Sequence, residues 1–587
     1  MVYDANTLKK ELEAALGKVP IDLLLENLHL VDVYTGEIRK TNLAVFGGKI
    51  IGVGVKKDTA CKERVDCGGR YAVPGFIDSH VHIETTLLTP ETLGEVIVPW
   101  GTTSLFVDAM EIANVSGIEG LKALVKDADK LPFRMFLEIP SRVPTAPGLE
   151  TAGAELGACE VRELLELPES ISLGELDPSK ILGIREEYLQ KVTAALNLGK
   201  ICNGHAIGLS AEMLNAYATG HLADDHESVT YEEMLARLRV GIKALVREGS
   251  SERNTKDLMC GVIENGISTD NILFCTDDKH VQDIYKEGHI SYNIQLAIDL
   301  GLNPVNAVQI ATINAAKHFR VEHMIGSLTP GRQADIVLLD DLKIIRPTAV
   351  YKDGRLVAEN GKATPCEQKS YPKELFRTVH LPAGLCEDSF VIRSDAIKAK
   401  CRVISLIKDQ IINEETQEWM PVQNGEIHAD LSRDILKLVV VERHGKNGRV
   451  SSALVKGFGL KKGALASSVS HDHHNIVAVG CSDTDILAAV KELGRIQGGF
   501  AAACNGAAIS CLPLPLAGLM SLEAPDDVMR QMNLLNASVR DMGCLMAAPF
   551  MALSFISLPT VPQLGLTDYG LIDVLEHKIT ELVIDSV

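Results

Sequence analysis

Pro74-Gly75-Phe76-Ile77-Asp78-Ser79-His80-Val81-His82-Ile83-Glu84 is an apolar run that ends in two histidines one residue apart. Side chains alternate faces along a strand, so His80 and His82 point the same way and can grip one ion from the strand's C-terminal end. Taken alone, the pair reads equally well as a polar strand end meeting its loop. The rest of the chain separates these readings.

Strand-like apolar runs recur outward from this stretch, at 73–82, 102–108, 134–139, 170–175, 201–205, 220–226, 243–247 and 271–276, with helical stretches between them. Alternating β-then-α units in that number predict a (β/α)8 TIM-like barrel, whose active site forms at the C-terminal strand ends. Those ends carry His80 and His82, Glu175, His205, Asp225-His226-Glu227 and Thr276-Asp277-Asp278. Each has a plain reading alone: His205 as a core histidine, Asp277 as a helix N-cap. Together they describe a metal site. The lead-in Pro-Gly-Phe-Ile-Asp-Ser resembles the first barrel strand of the amidohydrolase superfamily.

Imidazoles and carboxylates without thiolates suit Mn, Fe or Zn, and six ligands exceed the need of one ion. A carboxylate can bridge two ions about 3.5–4 Å apart. The expected set is His80, His82 and Asp277 on one divalent ion and His205 and His226 on the other, with Glu175 on both. Asp277 is then placed to take a proton from the attacking water and pass it to a leaving group. Glu227 is the candidate for contacting or protonating the substrate ring.

Many amidohydrolases bridge their metals with a carboxylated lysine; here that place holds Glu175, and Lys180 lies beyond Pro178. With Glu111-Ile-Ala-Asn114-Val, Glu150-Thr-Ala-Gly-Ala, Arg247-Glu-Gly-Ser250, His471-Asp472-His473-His474-Asn475 and Leu512-Pro-Leu-Pro-Leu-Ala-Gly-Leu-Met, the chain resembles the bacterial adenine deaminase family over nearly its whole length. The resemblance implies hydrolysis of adenine to hypoxanthine and ammonia in purine salvage. It also implies two Mn or Fe ions (Zn as an option), a small neutral purine base as ligand, and a homodimer or larger homo-oligomer. Glu111, Asn114, Arg247, Ser250, Asp278, His471 and His474 are candidate substrate contacts; the histidines around Asp472 read equally as a second metal cluster or as a hydrogen-bonded turn at a domain or subunit interface. Departures flank the ligands: Asp108-Ala-Met110-Glu111 where the family reads Asp-Pro-His-Glu, Asp177 after Glu175-Leu, Ile207, and Arg142 in place of a small residue. They keep two alternatives open: an amidohydrolase for another aminopurine or a cyclic amide, and a catalytically weak purine-binding protein.

The chain has 587 residues and so calls for several cores at roughly 150 residues per domain. A small β domain is expected from both barrel flanks, 1–64 and 326–365, around the barrel at 65–325. A linker at 366–386 leads to a C-terminal α/β (α+β) domain at 387–587. A net charge of −20 argues against nucleic-acid binding, which needs clustered Lys and Arg. Thirteen cysteines without framework spacing suit a reducing cytoplasm. Uncharged runs at 496–522 and 542–567 are interrupted by Gly498-Gly499, Pro513, Pro549, Pro559 and Pro562; they read as buried strands and turns, not membrane spans.

Overall fold

The computed structural model describes residues 4–407, 413–560 and 563–587, so Pro562 lies outside the described residues. Eight parallel strands surround the site: Phe76–Val81 (β1), Thr102–Asp108 (β2), Arg134–Ile139 (β3), Ser170–Leu176 (β4), Ile201–Gly204 (β5), Asp224–Asp225 (β6), Lys243–Arg247 (β7) and Ile272–Cys275 (β8). β1 to β5 form one sheet and β6 to β8 another. The two are stitched at both ends. Cys202 bridges Leu222 on one side; on the other Val81 bridges Asp277, whose N–H donates to the His80 carbonyl at 3.0 Å. Helices such as Met110–Val125, Glu186–Asn197 and Thr255–Asn265 connect the strands. Val, Leu, Ile and Phe dominate these strands because parallel sheets are buried on both faces; all seven residues of β2 are buried.

The apolar run expected as one strand over 73–82 breaks in two. Tyr71–Pro74 pairs antiparallel with Ile336–Asp341, and β1 begins after the single intervening residue Gly75. Gly75 makes the corner, with its N–H on the Asp335 carbonyl at 2.9 Å. A Cβ there would meet Thr103 Oγ1 at 2.0 Å, so only glycine lets the two sheets come this close. The run expected at 220–226 keeps only Asp224–Asp225 as strand, because Gly220 ends the helix Ala211–Thr219 and the Asp225 carboxylate turns to Ala206 N–H and Arg237 Nε. The N-terminal strand Ile21–Val31 carries a bulge at Asn27 (φ +53°).

Strands from both flanks of the parallel unit share a nine-stranded sheet, in which Tyr71–Pro74 lies between Ile21–Val31 and Ile336–Asp341. Further on, an eleven-stranded sheet includes Lys398–Leu406, Ile435–Val441 and Ile476–Gly480, and the helix Asp483–Ile496 packs against it. The second uncharged run contains the helix Pro549–Phe555, where strands and turns were expected; Pro549 sits in its first turn, where the missing N–H costs nothing. Among the described residues no helix is long and apolar enough to cross a membrane.

Candidate metal centre and active site

Every expected ligand lies at or just past the C-terminal end of a parallel strand. His80 and Glu175 are the penultimate residues of β1 and β4; His82, His205 and His226 immediately follow β1, β5 and β6, with Val81 ending β1, and Asp277 comes two residues after β8. Asp277 has φ +56°, a left-handed conformation that Asp tolerates better than most residues. Its N–H donates to the His80 carbonyl and its C=O accepts from His82 N–H, and its carboxylate joins the histidine cluster.

The histidines of β1 are oriented from behind. His80 Nδ1 lies 2.8 Å from Glu138 Oε2, and Glu138 Oε1 in turn accepts from Asn203 at 2.9 Å. His82 Nδ1 is 2.9 Å from the Asp108 carbonyl. Both acceptors fix the proton on Nδ1 and leave Nε2 a lone pair, the arrangement that metal-binding histidines require. Buried His80 Nε2 makes no hydrogen bond among the described residues and stands 3.7 Å from Asp277 Oδ1, and His82 Nε2 stands 3.5 Å from Asp277 Oδ1 and 3.9 Å from Glu175 Oε1. Opposite them, Glu175 Oε2 lies 2.9 Å from His205 Nδ1 and 3.2 Å from His226 Nε2. Ligand atoms converge within 4.8 Å in three overlapping groups: His80–His82–Asp277, His80–Glu175–His226 and His205–His226–Glu227. An orphaned imidazole nitrogen in a wholly nitrogen and oxygen donor set fits divalent cations.

Burial pushes Glu175 up, yet Arg142 and His205 hold it well below the carboxylate range. For Asp277, burial is likewise overcome by His226 and Arg247, which keep it at about 2. Arg247 Nη1 donates at 2.8 Å to both Glu227 Oε1 and Asp277 Oδ2, so it does not pair with Glu248. Glu227 joins the His205–His226 group, and Arg247 holds it ionised despite burial. Lys180 pairs with Asp177 at 3.1 Å and does not line the cavity.

The cavity over these ligands is closed by a distant part of the chain. His471, Asp472, Phe555 and Leu558 line it together with Glu111, Arg247, Glu252 and Asp278. Glu111 accepts from His471 Nδ1 at 3.1 Å and from His474 Nε2, and Asp472 accepts from Thr145 at 2.7 Å. Glu111, His471 and Asp472 form a further convergent group. Asp278 is pushed to about 6 by burial and by its neighbour Asp277. Three expected contacts do not reach the cavity. Asn114 donates to the Met110 carbonyl within its own helix, Ser250 donates to Asp283, and His474 is sealed behind Glu111 with no exposed surface.

Glu138, Glu252 and Phe555 went unread in the sequence. Glu138 carried a signal, since a lone carboxylate in the apolar run Met135-Phe-Leu-Glu138-Ile needs a buried partner. Phe555 carried none, because its place depends on a fold that brings residue 555 beside residue 82.

Residues 71–358 match the model of the amidohydrolase family, and residues 410–578 match that of the adenine deaminase C-terminal domain. An adenine deaminase of Desulforamulus reducens is 56% identical over 587 residues, covering 100% of both chains. Adenine deaminase 2 of Carboxydothermus hydrogenoformans is 41% identical, covering 97% of this chain and 98% of its own. An adenine deaminase of Dehalococcoides mccartyi is 40% identical over 98% of this chain and 99% of its own. With both family models matched in order and relatives aligned from end to end, the chain belongs to the adenine deaminase family.

Proposed function

We propose that this protein hydrolyses adenine to hypoxanthine and ammonia at a dinuclear metal site. What carries the reading is that the groups His80–His82–Asp277 and His205–His226–Glu227 are joined through a third, His80–Glu175–His226, in one buried cluster. His80, His82 and Asp277 would hold one ion, His205 and His226 the other, and Glu175 both; Mn or Fe suits this donor set, with Zn as the alternative. The ions would supply Lewis acidity and lower the pKa of a water towards about 7. Asp277 takes the proton of the attacking water and delivers it to the departing nitrogen. Arg247 holds Asp277 in position and keeps it ionised between turnovers. Glu227, tied to the same arginine, accepts hydrogen bonds at the cavity wall.

We read the two parallel sheets as one closed (β/α)8 barrel over 65–325, flanked by a small β domain from 1–64 and 326–365. The linker 366–386 and the domain 387–587 complete the chain. Ammonia release from adenine, other aminopurines and cyclic amides, measured after Mn loading and after chelation, tests the activity. Adenine should be turned over only by the loaded protein, with about two ions per chain. An intact two-metal site without adenine turnover contradicts the proposal. Another aminopurine is the second reading, favoured by Arg142, whose guanidinium lines the cavity beside Glu175.

A further inference from the structure

Glu175 is the ligand on which both expected metal positions depend, and its two carboxylate oxygens have different neighbours. Oε2 faces imidazoles, His205 Nδ1 at 2.9 Å and His226 Nε2 at 3.2 Å. Oε1 lies 3.9 Å from His82 Nε2 and accepts a hydrogen bond from Arg142 Nη2. An imidazole can lose its proton and become a ligand itself. A guanidinium keeps its charge at every pH a folded protein meets and has no lone pair to offer, so Arg142 is a permanent cation on Oε1.

The guanidinium is fixed from several sides. Arg142 is 3% exposed, and its Nη1 stands 3.9 Å from both Asp177 Oδ2 and Asp472 Oδ2. Asp472 is itself anchored by Thr145 at 2.7 Å. The backbone before Arg142 is pinned beside the same ligand: Ser141 Oγ donates to the Glu175 carbonyl, and Lys191 Nζ donates to the Ser141 carbonyl at 2.9 Å. Positive charge is thus built into the bridging position and does not depend on one loose side chain.

Two roles are open to such a group, and they have opposite consequences. A partner that only orients a metal ligand strengthens binding, and its loss costs about 10- to 100-fold in affinity. A fixed cation on the ligand's oxygen repels an ion that shares it and draws charge from the carboxylate. Glu175 is oriented without Arg142: its N–H donates to Asp108 Oδ2 at 3.1 Å, and its Oε2 faces His205 and His226. We propose that Arg142 is a positioning residue that acts through Glu175, a fixed positive charge that competes with the metal ions for this carboxylate and weakens their binding. This deepens the two-ion reading and rests on it for Glu175 as a ligand.

The test is competition for Mn between the full chain, stripped of metal, and a chelating indicator, which reads affinity without turnover. Arg142→Gln keeps a donor for Glu175 but loses the charge, and should bind Mn about tenfold more tightly or better. Arg142→Lys keeps the charge and should stay within about threefold of the unsubstituted protein. Arg142→Met, which fills the same space with neither charge nor donor, should also gain affinity and carries the test if the Gln variant does not fold. Unchanged or weaker binding in the Gln variant, or in the Met variant standing in for it, would make Arg142 an orienting partner and overturn the inference. A gain in the Lys variant equal to that in the Gln variant would overturn it as well, since charge would not be the cause. An unsubstituted protein that binds no Mn overturns it together with the two-ion reading, whereas about two ions per chain at equal affinity in every variant overturns it alone.

Discussion

Two walls of the same cavity are built on different principles. The wall of ligands rises from strand ends, where His80, His82 and Asp277 are set by main-chain pairing between β1 and the segment after β8. The facing wall is the 471–474 loop with Phe555; one main-chain bond, His471 N–H to the Ser554 carbonyl, joins its two parts, and side chains clamp it to the other wall: Glu111 on two histidines and Thr145 on Asp472. Main-chain pairing is shared by every residue of a strand and survives single substitutions. A side-chain clamp fails when one carboxylate is lost. The ligand wall should therefore yield to substitution mainly in chemistry and metal affinity, and the loop wall mainly in binding of the base.

The largest effect is expected at the ligand wall. Asp277→Asn removes the proton carrier and should lower kcat by about 10²- to 10⁴-fold, with only partial loss of metal. Undiminished turnover would remove Asp277 from the proton path. Next comes the group behind the wall: Glu138→Gln leaves His80 Nδ1 facing an amide and should weaken metal binding about 10- to 100-fold in a chelator competition. A metal affinity equal to that of the unsubstituted protein would show that main-chain pairing alone orients the ligands. On the loop wall, Glu111→Gln should cost about tenfold in kcat/KM and leave the metal content unchanged. Metal loss in that variant would mean that the two walls are one mechanical unit.

The smallest effect concerns the loop after β3, which is fastened to the facing wall through Thr145, bonded to Asp472, and Thr151, whose carbonyl accepts from Asn475. Within it Glu150 is buried, and burial pushes its carboxyl up to about 7. A raised carboxyl binds its proton more tightly when folded. Its contribution is complete below about pH 4.3, the unfolded value, and is lost as pH rises through about 7. Glu150→Gln stays neutral, so thermal stability should fall less between pH 5 and pH 8 than in the unsubstituted protein. A parallel pH dependence in the two proteins would contradict the assignment.

The difference between the walls is also the difference between what could and could not be read in the sequence. Ligands at strand ends follow from local pattern, because period-two alternation and the end of an apolar run place His80, Glu175 and Asp277 without knowledge of distant contacts. The loop wall is non-local: Glu111 meets His471 across 360 residues. Asn114 and Ser250 illustrate the same limit. Their neighbours in sequence line the cavity, but a helix and a loop turned these side chains to the Met110 carbonyl and to Asp283. The corner at Gly75 was also invisible, since its cause is Thr103 on the next strand.

That corner bears on how the molecule can be cut. The backbone that delivers His80 and His82 leaves the nine-stranded sheet only at Gly75, and Tyr71–Pro74 is covered on one side by Ile336–Asp341. Truncation at residue 325 would strip that cover and leave an open edge directly behind the metal ligands. A catalytic module therefore keeps the return strands, and because His471, Asp472 and Phe555 close the cavity it keeps the C-terminal part as well.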